Sequence, residues 1–291
     1  MKSLGLFFLK SISYLIYLMS RKLRLALGSF FGILWFDILR LRRDVLDENI
    51  QIAFPEMPYP ERKRIARESC KGMGKALIEY FLFPHVNADN IDDYFVCKNW
   101  HVYEDLKKQN KGVLVLSLHL GSYDFLSVFL ALKGMDLHLI SKEMKVQWLN
   151  DLWFGLRKSK GLKYISDRKA KFDIIKALKK KAAVAFIIDQ FTGPPIGIES
   201  TFFGKKTGSA RGLALFHAWT KAPVLPIYNF RRDDGKIEVV FGEPVSLEEA
   251  EDRDQTVALM TQKYNTVLEN IIREHPEQWL WVHRRWKEFK Y

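Results

Sequence analysis

The stretch "VLVLSLHLGSYDF", Val113–Phe125, decides how this chain is read. Its first part, "VLVLSL", shows no polar alternation, as expected of a strand covered on both faces. His119 follows, Gly121 and Ser122 supply a turn, and Asp124 falls in the first turn of the next helix. In open α/β sheets, sites form beyond the carboxyl ends of the strands. His119 therefore stands where chemistry is expected. A carboxylate five residues on can reach one imidazole nitrogen across such a turn. The other nitrogen is then left to take a proton from a substrate hydroxyl. The start of the helix offers backbone N–H groups to a developing oxyanion.

Spacing alone does not single this pair out. Seven histidines and 34 acidic residues among 291 positions produce about one such match by chance. His138…Glu143 and His283…Glu288 match as well. His138 sits within a strand-like run, and His283 lies in a basic tail. Only His119 combines a buried strand end, a glycine turn and a helix start. On these grounds His119 reads either as a general base or as a core histidine satisfied by a local acid.

Working outward, "DLHLI", "KYIS", "AVAFII", "VLPIY" and "KIEVVFG" are further short apolar or β-rich runs. Helical segments separate several of them: Phe125–Leu132, Val146–Lys158, Lys171–Lys180 and Ala210–Thr220. Alternating strands and helices predict an α/β fold with a central, mostly parallel sheet flanked by helices. Upstream, "RRDVLDENIQIAF" is helical up to Pro55. Pro60 suits the first turn of another helix, which "ERKRIARESCKGMGKALIEYFLF" continues at helical spacing. A last helix runs from about Asp254 to Glu274 and stops near Pro276.

The first 43 residues differ from the rest. "SLGLFFLKSISYLIYLM" is apolar apart from Lys10 and a few serines and tyrosines, and Arg21, Lys22 and Arg24 follow at once. "LALGSFFGILWFDIL" then ends in "RLRRD". No small-residue cleavage site precedes the basic cluster, and apolar character resumes after it, which disfavours a secretory signal. Two attachments are open: a membrane span, marginal because of Lys10, or a pair of interfacial helices with basic flanks. A hydrophobic hairpin packed on the domain is the bland reading. We take residues 1–43 as N-terminal hydrophobic membrane-anchoring helices and 44–291 as the α/β domain. The basic flanks put that domain on the cytoplasmic side.

Lys plus Arg number 46 against 34 Asp plus Glu, a formal charge of +12. Such an excess favours an anionic partner. Cys70 and Cys97, the two cysteines, stand at no metal-like spacing, which argues against a disulfide framework or a zinc site. Aromatic residues make up 14%, with eight Trp. The tail "WLWVHRRWK" interleaves Trp with basic groups. It reads as a nucleic-acid surface or as a membrane-interface or phosphoglycolipid contact. The apolar N-terminus favours the latter, so no nucleic acid is expected.

Read together, these segments resemble the late acyltransferases of lipid A biosynthesis, a branch of the lysophospholipid acyltransferase superfamily. "HLGSYD" is similar to the superfamily's His-x4-Asp/Glu motif after a buried strand. "ENIQIAFPEMPYPER" is similar to the segment after the N-terminal anchor. "IIKALKKKAAVAFIIDQFTGP" looks like the helix–strand unit ending in an Asp-Gln pair. "TFFGKKTGSARGLALFHAWTKAPVLPIY" looks like the phenylalanine–glycine loop with its helix and strand, and "PEQWLWVHRRWK" like the C-terminal signature. The likeness covers nearly the whole chain in order. Two departures stand out. Asp124 occupies a position where many lipid A enzymes carry Glu. Lys142 stands after the second strand, where family members often have arginine. Both bear on the identity of the acceptor.

The resemblance implies a glycerol-3-phosphate acyltransferase-like fold and a membrane-associated O-acyltransferase at the cytoplasmic face of a bacterial inner membrane. His119 would deprotonate an acceptor hydroxyl, with Asp124 holding its tautomer. No Ser or Cys sits in a nucleophile-elbow context, so attack on the acyl thioester would be direct. Acyl carrier protein would be the donor and a phosphorylated glycolipid, a lipid A precursor, the acceptor, alongside contacts with membrane lipids. No metal or organic cofactor is implied. Asp189 and Gln190, at the end of "AVAFII", would position substrate, or merely cap a turn. Phe203, Gly204, Lys205 and Arg211 precede a helix and suit a phosphate site, although any one of these cations reads equally as a solvated surface charge. Lys142, Arg157 and Arg168 are further candidates for substrate contact. The rivals are acylation of another lipid, such as a lysophospholipid, aminolipid or glycolipid, and a non-catalytic basic membrane-binding protein.

Overall fold

The computed structural model describes residues 2–141, 145–166 and 170–290. The chain begins with helices α1 (Lys2–Leu18), α2 (Arg21–Ile33), α3 (Arg43–Ala53) and α4 (Tyr59–Tyr80). Then come β1 (Phe95–Lys98), α5 (Trp100–Lys108), β2 (Val113–Ser117), α6 (Tyr123–Leu132), β3 (Leu137–Ser141), α7 (Gln147–Lys158), β4 (Lys163–Ser166), α8 (Ala170–Lys179) and β5 (Ala183–Ile187). The remainder is β6 (Gly197–Phe202), β7 (Lys205–Ala210), α9 (Gly212–Thr220), β8 (Val224–Arg231), β9 (Ile237–Phe241) and α10 (Arg253–Glu274).

Seven of the described strands form one sheet in the order β1-β9-β8-β2-β5-β3-β4. Every neighbouring pair is parallel except β8 and β9. This is the expected mostly parallel α/β architecture. All five residues of β2 are buried, and core residues cover both faces of the sheet. Phe125 and Phe129 of α6 lie on one side with Ile78 of α4. Ile174 of α8, Ala214 of α9 and Tyr264 of α10 lie on the other, with Trp279 and Trp281 from the tail.

The apolar N-terminus is helical but does not form the span that was one of its two readings. α1 has 17 residues, a rise of about 25 Å against a hydrocarbon core of about 30 Å. Met19 and Ser20 separate it from α2, which Ser20 caps by accepting from Leu23 N–H. Among the described residues no helix is long and apolar enough to cross a membrane. α2 instead lies against α4 through facing glycines. A Cβ on Gly28 would stand 2.5 Å from Lys75 Cα, and one on Gly74 would stand 2.1 Å from Gly28 O. Phe7, Phe8, Leu15, Phe30 and Ile38 of this region remain exposed.

Candidate active site

β2 and β5 are parallel neighbours in the register Ser117↔Ile187. Two residues past each of these positions stand His119 and Asp189. Matched register thus puts an imidazole and a carboxylate side by side at the carboxyl end of the sheet, about one strand spacing apart. His119 Nδ1 donates to Asp189 Oδ1 at 2.8 Å, and the His119 backbone N–H donates to Oδ2 at 2.9 Å. Trp279 Nε1 donates to the same Oδ2 at 2.8 Å. Asp189 is 1% exposed. Burial pushes its carboxyl up, but the His119 charge and these donors together hold it below the usual range.

With Nδ1 bearing the hydrogen, Nε2 carries the lone pair. No described residue hydrogen-bonds Nε2. The imidazole packs edge-on to Tyr123, with ring centroids 4.7 Å apart, and lines two cavities. One, of about 420 Å³, runs down between β2, β3, β5 and α6 among Val115, Leu126, Leu130, Leu137 and Ile227, with Asp124 and Arg157 also in its wall. The other, of about 260 Å³, is enclosed by α2, α4 and residues 278–280.

Asp124 does occupy the first turn of α6, but its recorded partners differ from the expected one. Its carboxylate accepts from Tyr80 Oη and from Arg157 Nη2. Among the described hydrogen bonds none joins Asp124 to His119. The geometry gives Asp189 the contact that sequence spacing suggested for Asp124. The reason is tertiary: α4 and α7 bring a phenol and a guanidinium to Asp124, whereas strand register brings Asp189 to the imidazole. Arg157 is buried beneath this pair, with Cζ 4.1 Å over the Trp153 ring. Burial pushes its pKa down.

The turn between His119 and Asp124 is held from several sides. The Gly121 N–H donates to Gln278 O at 3.0 Å, and the Leu280 N–H donates to His119 O at 3.1 Å. The tail therefore runs antiparallel beside the turn, with Leu120 bridged to Trp279. Asn229 Oδ1 accepts from the Ser122 N–H at 2.9 Å, and its Nδ2 donates to Leu120 O at 3.2 Å. Gly121 has φ +57°, and a Cβ there would lie 2.7 Å from Asn229 Oδ1. Buried Glu79 accepts from Ser122 Oγ and, at 2.6 Å, from Arg231 Nη2.

The other candidates fall in different places. Gln190 is half-buried in the wall of the larger cavity, its Nε2 3.4 Å from His119 Nδ1. Lys142 and Arg168 lie outside the described residues. Phe203 and Gly204 stand apart from the His119 cavities among the described residues. They make the two-residue turn of the β6–β7 hairpin, both at positive φ. Phe203 is buried against Phe54, Phe202 and Trp286. Lys205 is exposed on that hairpin, and Arg211 is exposed at the start of α9. The tail also departs from its expected role as an interface. Trp279, Trp281 and Arg285 are essentially inaccessible. Arg285 donates to Gly208 O and Ser209 Oγ, each at 2.6 Å, and burial lowers its pKa to about 10. These groups join α10 in covering the hairpin and close the core there.

Tyr80, Glu79, Asn229 and Arg231 belong to the site and were not singled out from sequence. They come from α4 and β8, far along the chain, and carry no local motif. Trp279 was noticed, but as part of an interface rather than as a donor to Asp189.

A family model of the bacterial lipid A biosynthesis acyltransferase matches residues 1–288. The chain is 26% identical over 270 residues to the lipid A biosynthesis lauroyltransferase of Escherichia coli (strain K12), covering 90% of this chain and 84% of that protein. It is 26% identical over 265 residues to the lipid A biosynthesis palmitoleoyltransferase of the same organism, with the same shares covered. A lipid A biosynthesis acyltransferase of Haemophilus influenzae is 24% identical over 254 residues, covering 84% of this chain and 78% of that protein.

Proposed function

The chain belongs to the bacterial lipid A biosynthesis acyltransferase family, and from that premise we propose that His119 is the general base of an acyl transfer from a carrier-bound thioester to a hydroxyl of a lipid A precursor. The observation that carries the assignment is the imidazole itself. Its Nδ1 is held by buried Asp189, and its Nε2 is free of protein partners among the described residues, at the junction of two cavities.

The apolar 420 Å³ cavity suits a fatty acyl chain. The acceptor hydroxyl gives its proton to Nε2, and its oxygen bonds to the thioester carbonyl carbon. The resulting imidazolium is stabilised by Asp189. Arg157, oriented by Asp124, supplies a preorganised positive charge for the carbonyl oxygen as it becomes anionic. The tetrahedral intermediate collapses with cleavage of the C–S bond, and the proton on Nε2 passes to the departing thiolate. Gln190 positions substrate beside this centre. Acyl carrier protein as donor and a phosphorylated glycolipid as acceptor both suit the +12 charge.

The exposed apolar residues of α1 and α2, with basic residues Arg21, Lys22 and Arg24 beside them, support interfacial attachment at the cytoplasmic face of the inner membrane. Residues 1–43 then attach the α/β unit of residues 44–291. Replacing Phe7 and Phe8 with serine should lower co-sedimentation with anionic vesicles at least threefold; unchanged co-sedimentation would rule out this mode of attachment.

The decisive measurement is acyl transfer by full-length protein from an acyl carrier thioester to an under-acylated lipid A precursor, read by mass spectrometry. Wild type adds one acyl chain. His119→Ala retains its fold by circular dichroism and loses activity on the order of 10²–10⁴-fold. Undiminished transfer by His119→Ala would refute the assignment.

A further inference from the structure

The site above lies at the carboxyl ends of the strands. The opposite end of the sheet carries a separate groove of about 750 Å³, bounded by the segment before β2, α8, the end of α9 and the start of α10. Gly112 lines it, and His119 lies beyond the other end of β2, roughly 20 Å away at the usual rise per residue. This groove has no part in the chemistry proposed for His119.

Lys111, Lys171, Lys179 and Arg253 line this groove, and no lining residue is acidic. None of these four cations forms an ion pair with a carboxylate among the described residues. Lys171 Nζ lies 4.7 Å and Arg253 Cζ 4.2 Å from the centroid of the Trp219 ring. Cation–π attraction holds two like charges at one indole without neutralising either. Arg253 is also the first residue of α10, and the Asp252 carboxylate caps that helix, so the positive charge here comes from the side chains. Ile175, Leu178 and Ala222 supply apolar wall between the charges.

We propose that this groove is a second anion site that takes a phosphate group. Lys171 and Arg253 share one indole, so a compact anion with several oxygens there meets both, and Lys111 and Lys179 add positive charge elsewhere along the groove. The guanidinium offers a forked pair of donors, and the ammonium groups add point charges. Carboxylates spread along an acidic protein helix would lie across the rim and meet fewer of them. The phosphate can come from a soluble phosphoester or from a lipid headgroup, and the test separates the two.

Full-length protein is titrated with inorganic pyrophosphate at constant ionic strength, following tryptophan fluorescence. Separately it is sedimented with vesicles of phosphatidylcholine with and without phosphatidylglycerol. The variant is Lys171→Ala/Arg253→Ala; both positions are exposed, so the fold and acyl transfer should be retained. A saturable pyrophosphate signal, absent in Trp219→Phe and at least tenfold weaker in the double variant, establishes a site for soluble phosphate. An at least threefold loss of phosphatidylglycerol-dependent sedimentation, with no pyrophosphate signal, establishes a headgroup site. If the double variant matches wild type in both arms, the proposal is overturned. It is equally overturned if the variant loses only binding to acyl carrier protein.

Discussion

At the scale of single residues, the two carboxylates near His119 differ in their surroundings. Asp189 is buried and bonded to the imidazole, while Asp124 is bonded to Tyr80 and Arg157. Asp189→Asn should therefore lower kcat on the order of 10²–10⁴-fold with little change in KM, because the hydrogen-bonded tautomer loses its anionic partner. A kcat within twofold of wild type would show that Asp189 does not serve the base. A second residue reports on pH. Burial lowers the pKa of His217 from 6.5 to about 4, and its Nδ1 is paired with Tyr264 Oη. The unfolded chain takes up this proton first as pH falls, so folding stability contributed by neutral His217 is full above pH 6.5 and declines toward pH 4. The contribution should be about 3 kcal/mol across that window. As pH is lowered from about 7 to about 4, urea midpoints of wild type should fall more steeply than those of His217→Gln; parallel curves would refute this.

Elements bring these residues together, and their legibility varied with length and hydrophobicity. β2, β3, β4, β5, β8 and β9 were readable as apolar or β-rich runs. β1 has four residues, and β6 and β7 carry runs of consecutive polar residues with no clean alternation, so "TFFGKKTGSA" reads as a loop rather than a hairpin. Within α4 two glycines have opposite meanings. Gly74 abuts the backbone of α2, whereas a Cβ on Gly72 would meet nothing within 4 Å. Gly74→Ala should destabilise the fold by about 1–3 kcal/mol through overpacking. Gly72→Ala should stabilise it by about 0.5–1 kcal/mol through helix propensity. Thermal melts that shift both variants in the same direction would contradict the close approach of α2 and α4.

For the whole molecule, the C-terminal segment has the largest structural consequence. Residues 278–280 pair with the turn after His119, Trp279 bonds Asp189, and Arg285 ties the β6–β7 hairpin to the core. Ending the chain at Glu277 should abolish cooperative unfolding as well as activity, since it removes Trp279 and Trp281 from the core and leaves the backbone of the turn after His119 unpaired. A truncated chain with a wild-type melting transition would show the tail to be an accessory. The N-terminal helices work in the opposite direction. α2 packs on α4 and α1 on the segment that follows it, through Ser13 and Tyr17, and both leave large apolar side chains exposed.

By itself the amino-acid sequence determined the α/β class and the order of most elements and marked His119 as the candidate base, because these rest on local periodicity and on short motifs. It also carried the family likeness, which spans the chain. Which carboxylate meets the imidazole was decided only in three dimensions. Asp189 is 70 residues from His119 along the chain, and the register of two parallel strands makes them neighbours. Likewise, tertiary packing turned the Trp- and Arg-rich tail from an expected interface into core. Composition records that a residue is aromatic or charged, but burial and hydrogen-bond partners determine what it does. The "HLGSYD" stretch therefore pointed to the candidate site, and the fold decided which groups stand beside His119.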